Sequence, residues 1–233
     1  MKKQANGDDR LQYRHEYKFL VNDAELRRIA QRLAPVMKLD KNQTGEAYTI
    51  TSLYFDDIHD RCLYENLDGV ENRNKYRIRI YDRKTDVIKL EKKSKLHGFT
   101  SKQGVSLTVD ECAEMVSGRI PSVSQMGNQA KKLLLTQMKT QGLLPKSIVE
   151  YDRTAYTYAA GNVRITFDRN IRGSRKCSDF LRSDMRLIPL LPEGVHVLEV
   201  KYDEFLPRHI YNLLDYGTLR QTAFSKYMYS RKI

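Results

Sequence analysis

Apolar residues along this chain change their period again and again. Over residues 13–21 they alternate with polar ones, which is strand spacing. Leu26, Ile29, Ala30 and Leu33 then recur at helical spacing, so Asn22 or Asp23 is the expected N-cap of an amphipathic helix that stops at Pro35. A second strand is expected over 47–55 and a short helix over 59–67, closed by Gly69. Three strands over 75–81, 87–93 and 100–109 form a β-meander. Helical patterns follow over 111–117, with Asp110 as N-cap, and over 126–141. Strands return at 147–158 and 163–168 as a hairpin through 159–161, then near 186–190 and over 195–202. A final helix starts after Pro207. The pattern predicts an α+β fold of about eight mostly antiparallel strands, with helices at the start, middle and end. Closure into a barrel is expected because it removes exposed strand edges. Residues 1–10 carry no periodicity and read as a mobile arm, leaving 11–233 as one domain without internal repeats.

Within the strands, charged residues recur two apart and therefore share a face. Arg14, Glu16 and Lys18 do so on the first, Arg77 and Arg79 on the third, and Lys89, Glu91 and Lys93 on the fourth. Later strands repeat the layout with Tyr151 and Arg153, with Arg164, Thr166 and Asp168, and with Glu199 and Lys201. Two readings stay open. These faces point to solvent over an apolar core, or they line a lumen while the amphipathic helices cover the apolar faces from outside. The heavy use of Arg favours the lumen, because its planar fork fits phosphate oxygens.

Composition narrows the ligand class. Forty-one Lys and Arg against 29 Asp and Glu give a net charge of +12, which suits polyanionic partners. No helix-turn-helix, RRM or zinc-finger pattern accompanies that charge, so a specific nucleic-acid partner is not expected. Cys62, Cys112 and Cys177 lie far apart with no CxxC, and none of His15, His59, His97, His196 and His209 sits at metal-ligand spacing with another. P-loop, GxGxxG and HExxH motifs are absent. Asp56 and Asp57 follow a strand and read as a turn. No apolar run approaches the length of a membrane span, so a soluble, cytoplasmic protein is expected.

Arg14, Glu16 and Lys18 resemble the ExExK strand of the triphosphate tunnel metalloenzymes, with the first Glu replaced. The chain more closely resembles the VTC domain polyphosphate polymerase family, whose stretches appear as Ser52-Leu53-Tyr54-Phe55-Asp56, Lys75-Tyr76-Arg77-Ile78-Arg79 and Leu90-Glu91-Lys92-Lys93. Tyr151-Asp152-Arg153-Thr154-Ala155-Tyr156, Arg164-Ile165-Thr166-Phe167-Asp168, Leu198-Glu199-Val200-Lys201 and Ser225-Lys226-Tyr227 continue the series in the family's order over about 11–229. The resemblance implies an eight-stranded antiparallel tunnel and transfer of the ATP γ-phosphate to polyphosphate. Arg77, Arg79, Lys93 and Arg153 would surround the transferring phosphate, Lys18 and Lys226 would bind further phosphates, and Tyr151 and Ser225 would add hydrogen bonds. Lys102 and Arg164 join them as candidate phosphate ligands. Glu199 would hold a divalent metal, Mn²⁺ or Mg²⁺; Glu16 and Glu91 would assist it or orient neighbouring cations through ion pairs. Arg14 removes one carboxylate of the hydrolytic pattern, which favours polymerisation or binding over hydrolysis. Coupling to membrane translocation would fall to a separate membrane-protein partner.

Overall fold

The computed structural model describes residues 14–233 except 42, 44, 97, 98, 124–126 and 216. The 1–10 arm and His97 lie outside the described residues. In chain order the elements are β1 (His15–Asn22), α1 (Asp23–Leu33), β2 (Lys38–Leu39), β3 (Tyr48–Asp56), α2 (Arg61–Leu67), β4 (Arg73–Tyr81), β5 (Lys84–Leu96) and β6 (Phe99–Leu107). They continue with α3 (Val109–Val116), α4 (Gln129–Thr140), β7 (Leu144–Tyr158), β8 (Val163–Ser174), β9 (Ile188–Pro189), β10 (Val195–Tyr202), α5 (Arg208–Leu213) and α6 (Lys226–Ser230).

Local chemistry sets the helix starts. Asn22 caps α1 through a capping box with Glu25. The α3 cap is Thr108, paired with Glu111 in a second capping box, and not the expected Asp110. Asp110 instead occupies the first turn, where a carboxylate suits the helix dipole. The expected strand near 186–190 shrinks to the two residues of β9, which pair with β8 at Gly173 and Arg172.

Eight strands form one antiparallel path, β1-β10-β8-β7-β3-β4-β5-β6, with β2 and β9 as short additions on β7 and β8. The sheet curls into a tunnel but does not close strand to strand, since no ladder joins β1 to β6 among the described residues. The edge of β1 is covered in another way. Phe19 bridges Gln221, and the Thr222 amide donates to the Lys18 carbonyl at 2.8 Å, so the segment before α6 lies along the open seam.

The apolar faces point outward and the helices cover them. Leu53, Tyr76, Ile78, Leu90 and Ile148 pack beneath Cys112 and Met115 of α3 and Leu134, Leu135 and Met138 of α4. On the other wall Phe19, Ile165, Phe167, Leu198 and Val200 pack beneath Leu26, Ile29 and Leu33 of α1 and Ile210 of α5. His196 shares that outward side and is buried, its Nε2 2.8 Å from Asp23 at the start of α1. A third cluster lies where Tyr227 of α6 packs with Tyr54, Val149 and Tyr151. Asp56 anchors this end: it is fully buried and accepts from the Cys62 and Leu63 amides and from the Tyr227 hydroxyl at 2.7 Å. Between β7 and β8, Gly161 has φ +73°, and a Cβ there would stand 2.2 Å from the Phe205 carbonyl oxygen.

Candidate functional site: a cationic tunnel

With apolar side chains turned outward, strand parity turns the charged ones inward. Register aligns them across neighbouring strands: Lys18 faces Glu199 between β1 and β10, Arg153 faces Asp168 between β7 and β8, Arg77 faces Glu91 between β4 and β5, and Lys93 faces Lys102 between β5 and β6. Lys102, opposite Lys93, therefore belongs to the lumen.

Three carboxylate hubs organise these cations. Asp168 is fully buried; it accepts from Arg153 Nε at 2.6 Å and Nη2 at 2.8 Å, and from Lys226 Nζ at 2.5 Å. Burial pushes its carboxyl up, but Arg153 and Lys226 outweigh that and hold it below the usual range. Glu91 takes Arg77 Nε at 2.8 Å and Lys102 Nζ at 2.6 Å, with Arg79 Nη1 at 3.8 Å. Burial raises the Glu91 carboxyl, yet Arg77, Arg79 and Lys102 bring it down to about 2. The third hub joins Glu16 and Glu199. Lys18 contacts both, its bond to Glu16 being the shorter; Lys201 lies 2.9 Å from Glu199 and 3.8 Å from Glu16, and Lys93 donates to Glu16 at 2.9 Å. Burial and the neighbouring Glu199 push the Glu16 carboxyl up; Lys201, Lys18 and Lys93 overcome both and leave it at about 2.

The structure thus brings Lys18, Arg77, Arg79, Lys93, Lys102, Arg153, Lys226 and Tyr151 onto one lumen. Lys226 and Arg153 sit over the Tyr151 ring at 4.5 and 5.2 Å. Arg164 stands nearer one mouth, bonded to Asp40 at 2.9 Å and to the Tyr48 hydroxyl at 3.3 Å. A cavity of about 500 Å³ opens there, bounded by Tyr48, Ile50, Arg79, Tyr81, Lys102, Arg153 and Arg164, with Asp40, Asp82 and Asp86 among its other walls. Ser225 caps α6 and accepts from Lys75 Nζ at 3.2 Å.

Arg14 is not part of the lumen. It precedes β1, is exposed, and donates to the Asn162 carbonyl at 3.0 Å with Asp203 3.5 Å away. Glu16, Glu91 and Glu199 do not converge as one ligand set: the first and last share Lys18 and Lys201, while Glu91 serves Arg77 and Lys102. Among the described residues no three of His, Cys, Asp and Glu gather as a metal cage. Two ionised carboxylates, Glu16 and Glu199, are still a fitting donor set for a hard cation that takes its remaining ligands from phosphate oxygens and water.

Reasoning from sequence placed Asp168 and Lys201 on the charged faces but gave them no site role, and it missed Lys75 as a tunnel cation. Strand parity carried that signal, since each lies two residues from a residue already singled out.

The lumen also holds polar atoms without partners. Arg79 is 7% exposed, yet its Nε has no hydrogen-bond partner; neither do Thr166 Oγ1 and Ser52 Oγ. Unpaired buried donors of this kind are costly unless a ligand supplies acceptors.

Comparison with known proteins agrees with this geometry. The VTC domain family matches residues 13–233. The fold is similar to that of a Bacillus halodurans protein, bh2851, which carries a provisional adenylate cyclase name. That likeness has a TM-score of 0.53 at 13% identity and covers 91% of this chain and 92% of the other. PH1819 protein from Pyrococcus horikoshii aligns with a TM-score of 0.47 at 12% identity, over 93% and 97% of the two chains. No curated protein matches.

Proposed function

The chain belongs to the VTC domain family, and from that premise we propose that its tunnel transfers the γ-phosphate of ATP to a growing polyphosphate chain. The observation that carries the reading is Arg79: a buried guanidinium whose Nε lacks an acceptor, amid more cations than carboxylates, is an anion site awaiting its anion.

Phosphoryl transfer needs in-line positioning and charge neutralisation more than it needs a protein nucleophile. Arg77, Arg79, Lys93 and Arg153 surround the transferring phosphate. Lys18, Lys102, Arg164 and Lys226 hold the flanking phosphates, with hydrogen bonds from Tyr151 and Ser225. The carboxylate hubs keep these cations fixed before substrate arrives, so little reorganisation is left to the reaction. Glu199, with Glu16 beside it, would hold Mn²⁺ or Mg²⁺, which neutralises phosphate charge as a Lewis acid. Glu91 is an orienting group for Arg77 and Lys102. The Arg14 side chain, outside the lumen, leaves the hydrolytic carboxylate pattern incomplete and disfavours water as acceptor. The reading sets the protein in the cytoplasm, where ATP is supplied, with any movement of product across a membrane assigned to a separate subunit.

Incubation with ATP and Mn²⁺, followed by resolution of polyphosphate, ADP and orthophosphate, tests the reading. Chain growth with ADP is expected. Orthophosphate without chain growth would make the protein a hydrolase; salt-sensitive polyphosphate binding without ADP would make it a binding module.

A further inference from the structure

Most of the lumen cations have a carboxylate partner within 4 Å. Lys18, Lys93 and Lys201 share Glu16 and Glu199; Arg77, Arg79 and Lys102 share Glu91; Arg153 and Lys226 share Asp168; Arg164 has Asp40. Among the described residues Lys89, bonded to the Ser106 hydroxyl, has none, and neither does Lys75. Lys75 has the parity of Arg77 and Arg79, is partly buried, and makes one side-chain hydrogen bond, to the neutral Ser225 hydroxyl. Cations press on it from β5, β1 and β4 itself: Lys93 is its register partner on β5, Lys18 acts from β1, and Arg73 and Arg77 flank it on β4. Glu16, the nearby carboxylate, already bonds Lys93 and Lys18.

Tyr81 and Arg79 on the same strand border the cavity at the mouth. Lys75 lies six residues from Tyr81, roughly 20 Å at the rise of a β-strand. Its position therefore lies towards the end of the row away from that cavity, with Arg73 two residues beyond it.

We propose that Lys75 and the Ser225 hydroxyl form a further phosphate seat at the end of the tunnel away from the mouth cavity, and that Lys75 takes up a proton from solvent when a polyphosphate chain arrives. The proposal rests on the phosphate-tunnel reading above and adds to it a residue and a proton balance. Burial, with the repulsion of Lys93, Lys18, Arg73 and Arg77, lowers the Lys75 ammonium to about 7 in the free protein, so at pH 8 it is mostly neutral. A phosphate in contact restores the ordinary preference of a lysine for its charged form. Binding then adds a donor only when the anion is present, which spares the empty tunnel one more uncompensated charge.

Metal-free tripolyphosphate titrated calorimetrically at pH 8, in two buffers of different ionisation enthalpy, measures affinity and proton exchange together. Lys75→Arg is expected to keep the affinity within about threefold, because a guanidinium is already charged, and to lower proton uptake by close to one proton relative to wild type. Lys75→Met is expected to lose the same proton and to bind at least about tenfold more weakly. The protons of the ligand itself cancel in these differences. Unchanged affinity and proton exchange in both variants would overturn the proposal while leaving the tunnel reading standing. Wild-type protein that does not bind tripolyphosphate would overturn both.

Discussion

Lys93 of β5 donates to Glu16 of β1 at 2.9 Å, although five strands separate the two along the ladder. The contact crosses the lumen beside the seam between β1 and β6, where no ladder pairs the described residues. It ties the walls together through charge where backbone hydrogen bonds are missing. Glu16→Gln should therefore do more than remove a candidate metal ligand. It leaves Lys18 and Lys201 with Glu199 alone and takes the carboxylate from Lys93, and the expected loss is about 1–3 kcal/mol in denaturant midpoint analysis, larger at low salt.

Arg79 and Arg153 should separate function from stability. Arg79→Ala removes a guanidinium whose one ion pair among the described residues is a 3.8 Å contact to Glu91, so the fold should lose little. Phosphate transfer should fall about 10²–10³-fold, as for loss of one preorganised donor. Arg153→Ala leaves buried Asp168 with Lys226 alone and should cost about 3–5 kcal/mol of stability. Parallel urea melts and turnover assays check both.

Glu91 gives an acid dependence with a defined sign. Its carboxyl titrates at about 2 in the fold and near 4.5 in the unfolded chain, so the unfolded state binds the extra proton as pH falls. Its contribution, on the order of 3 kcal/mol, is whole above about pH 4.5 and is lost as pH drops towards 2. Glu91→Gln should be less stable at neutral pH and should flatten that part of the stability profile.

The tunnel was legible in the sequence because parity is a local rule. Once Arg77 and Ile78 are neighbours on a strand, one faces in and the other out, and the helical stripes at Leu26, Ile29 and Leu33 supplied a cover for the outer face. The partners of the cations were not legible in this way. Asp168 meets Lys226, and Glu16 meets Lys93, across gaps in sequence that no period spans. Nor did any pattern mark residues 221 and 222 as neighbours of β1, since two backbone contacts need no particular side chains.

Polyphosphate should stabilise the protein. At one hundred times its dissociation constant a ligand adds about 2.7 kcal/mol, which for a domain of this size raises the melting temperature by about 5–10 °C. The shift should shrink as salt rises, because the contacts are charge to charge. Arg79→Ala should reduce it at equal ligand concentration.

Gly161→Ala should be among the most damaging single-methyl changes. The residue has a positive φ and no room beside the Phe205 carbonyl, so the β7–β8 connection or the loop before α5 must move. A loss of about 2–3 kcal/mol is expected in thermal or chemical melts.

The seam along β1 also joins parts of the chain far apart in sequence. Neighbouring strands such as β7 and β8 meet through short connections, whereas the Thr222 amide and the Lys18 carbonyl stand about two hundred residues apart along the chain. Contacts of such separation reward the chain only after most of its closure entropy has been lost. Were the 221–222 segment the last to dock, the inner wall of the sheet would be reachable from the side until then. A long polyanion would then be enclosed laterally as that segment is laid along β1, without being threaded from an end.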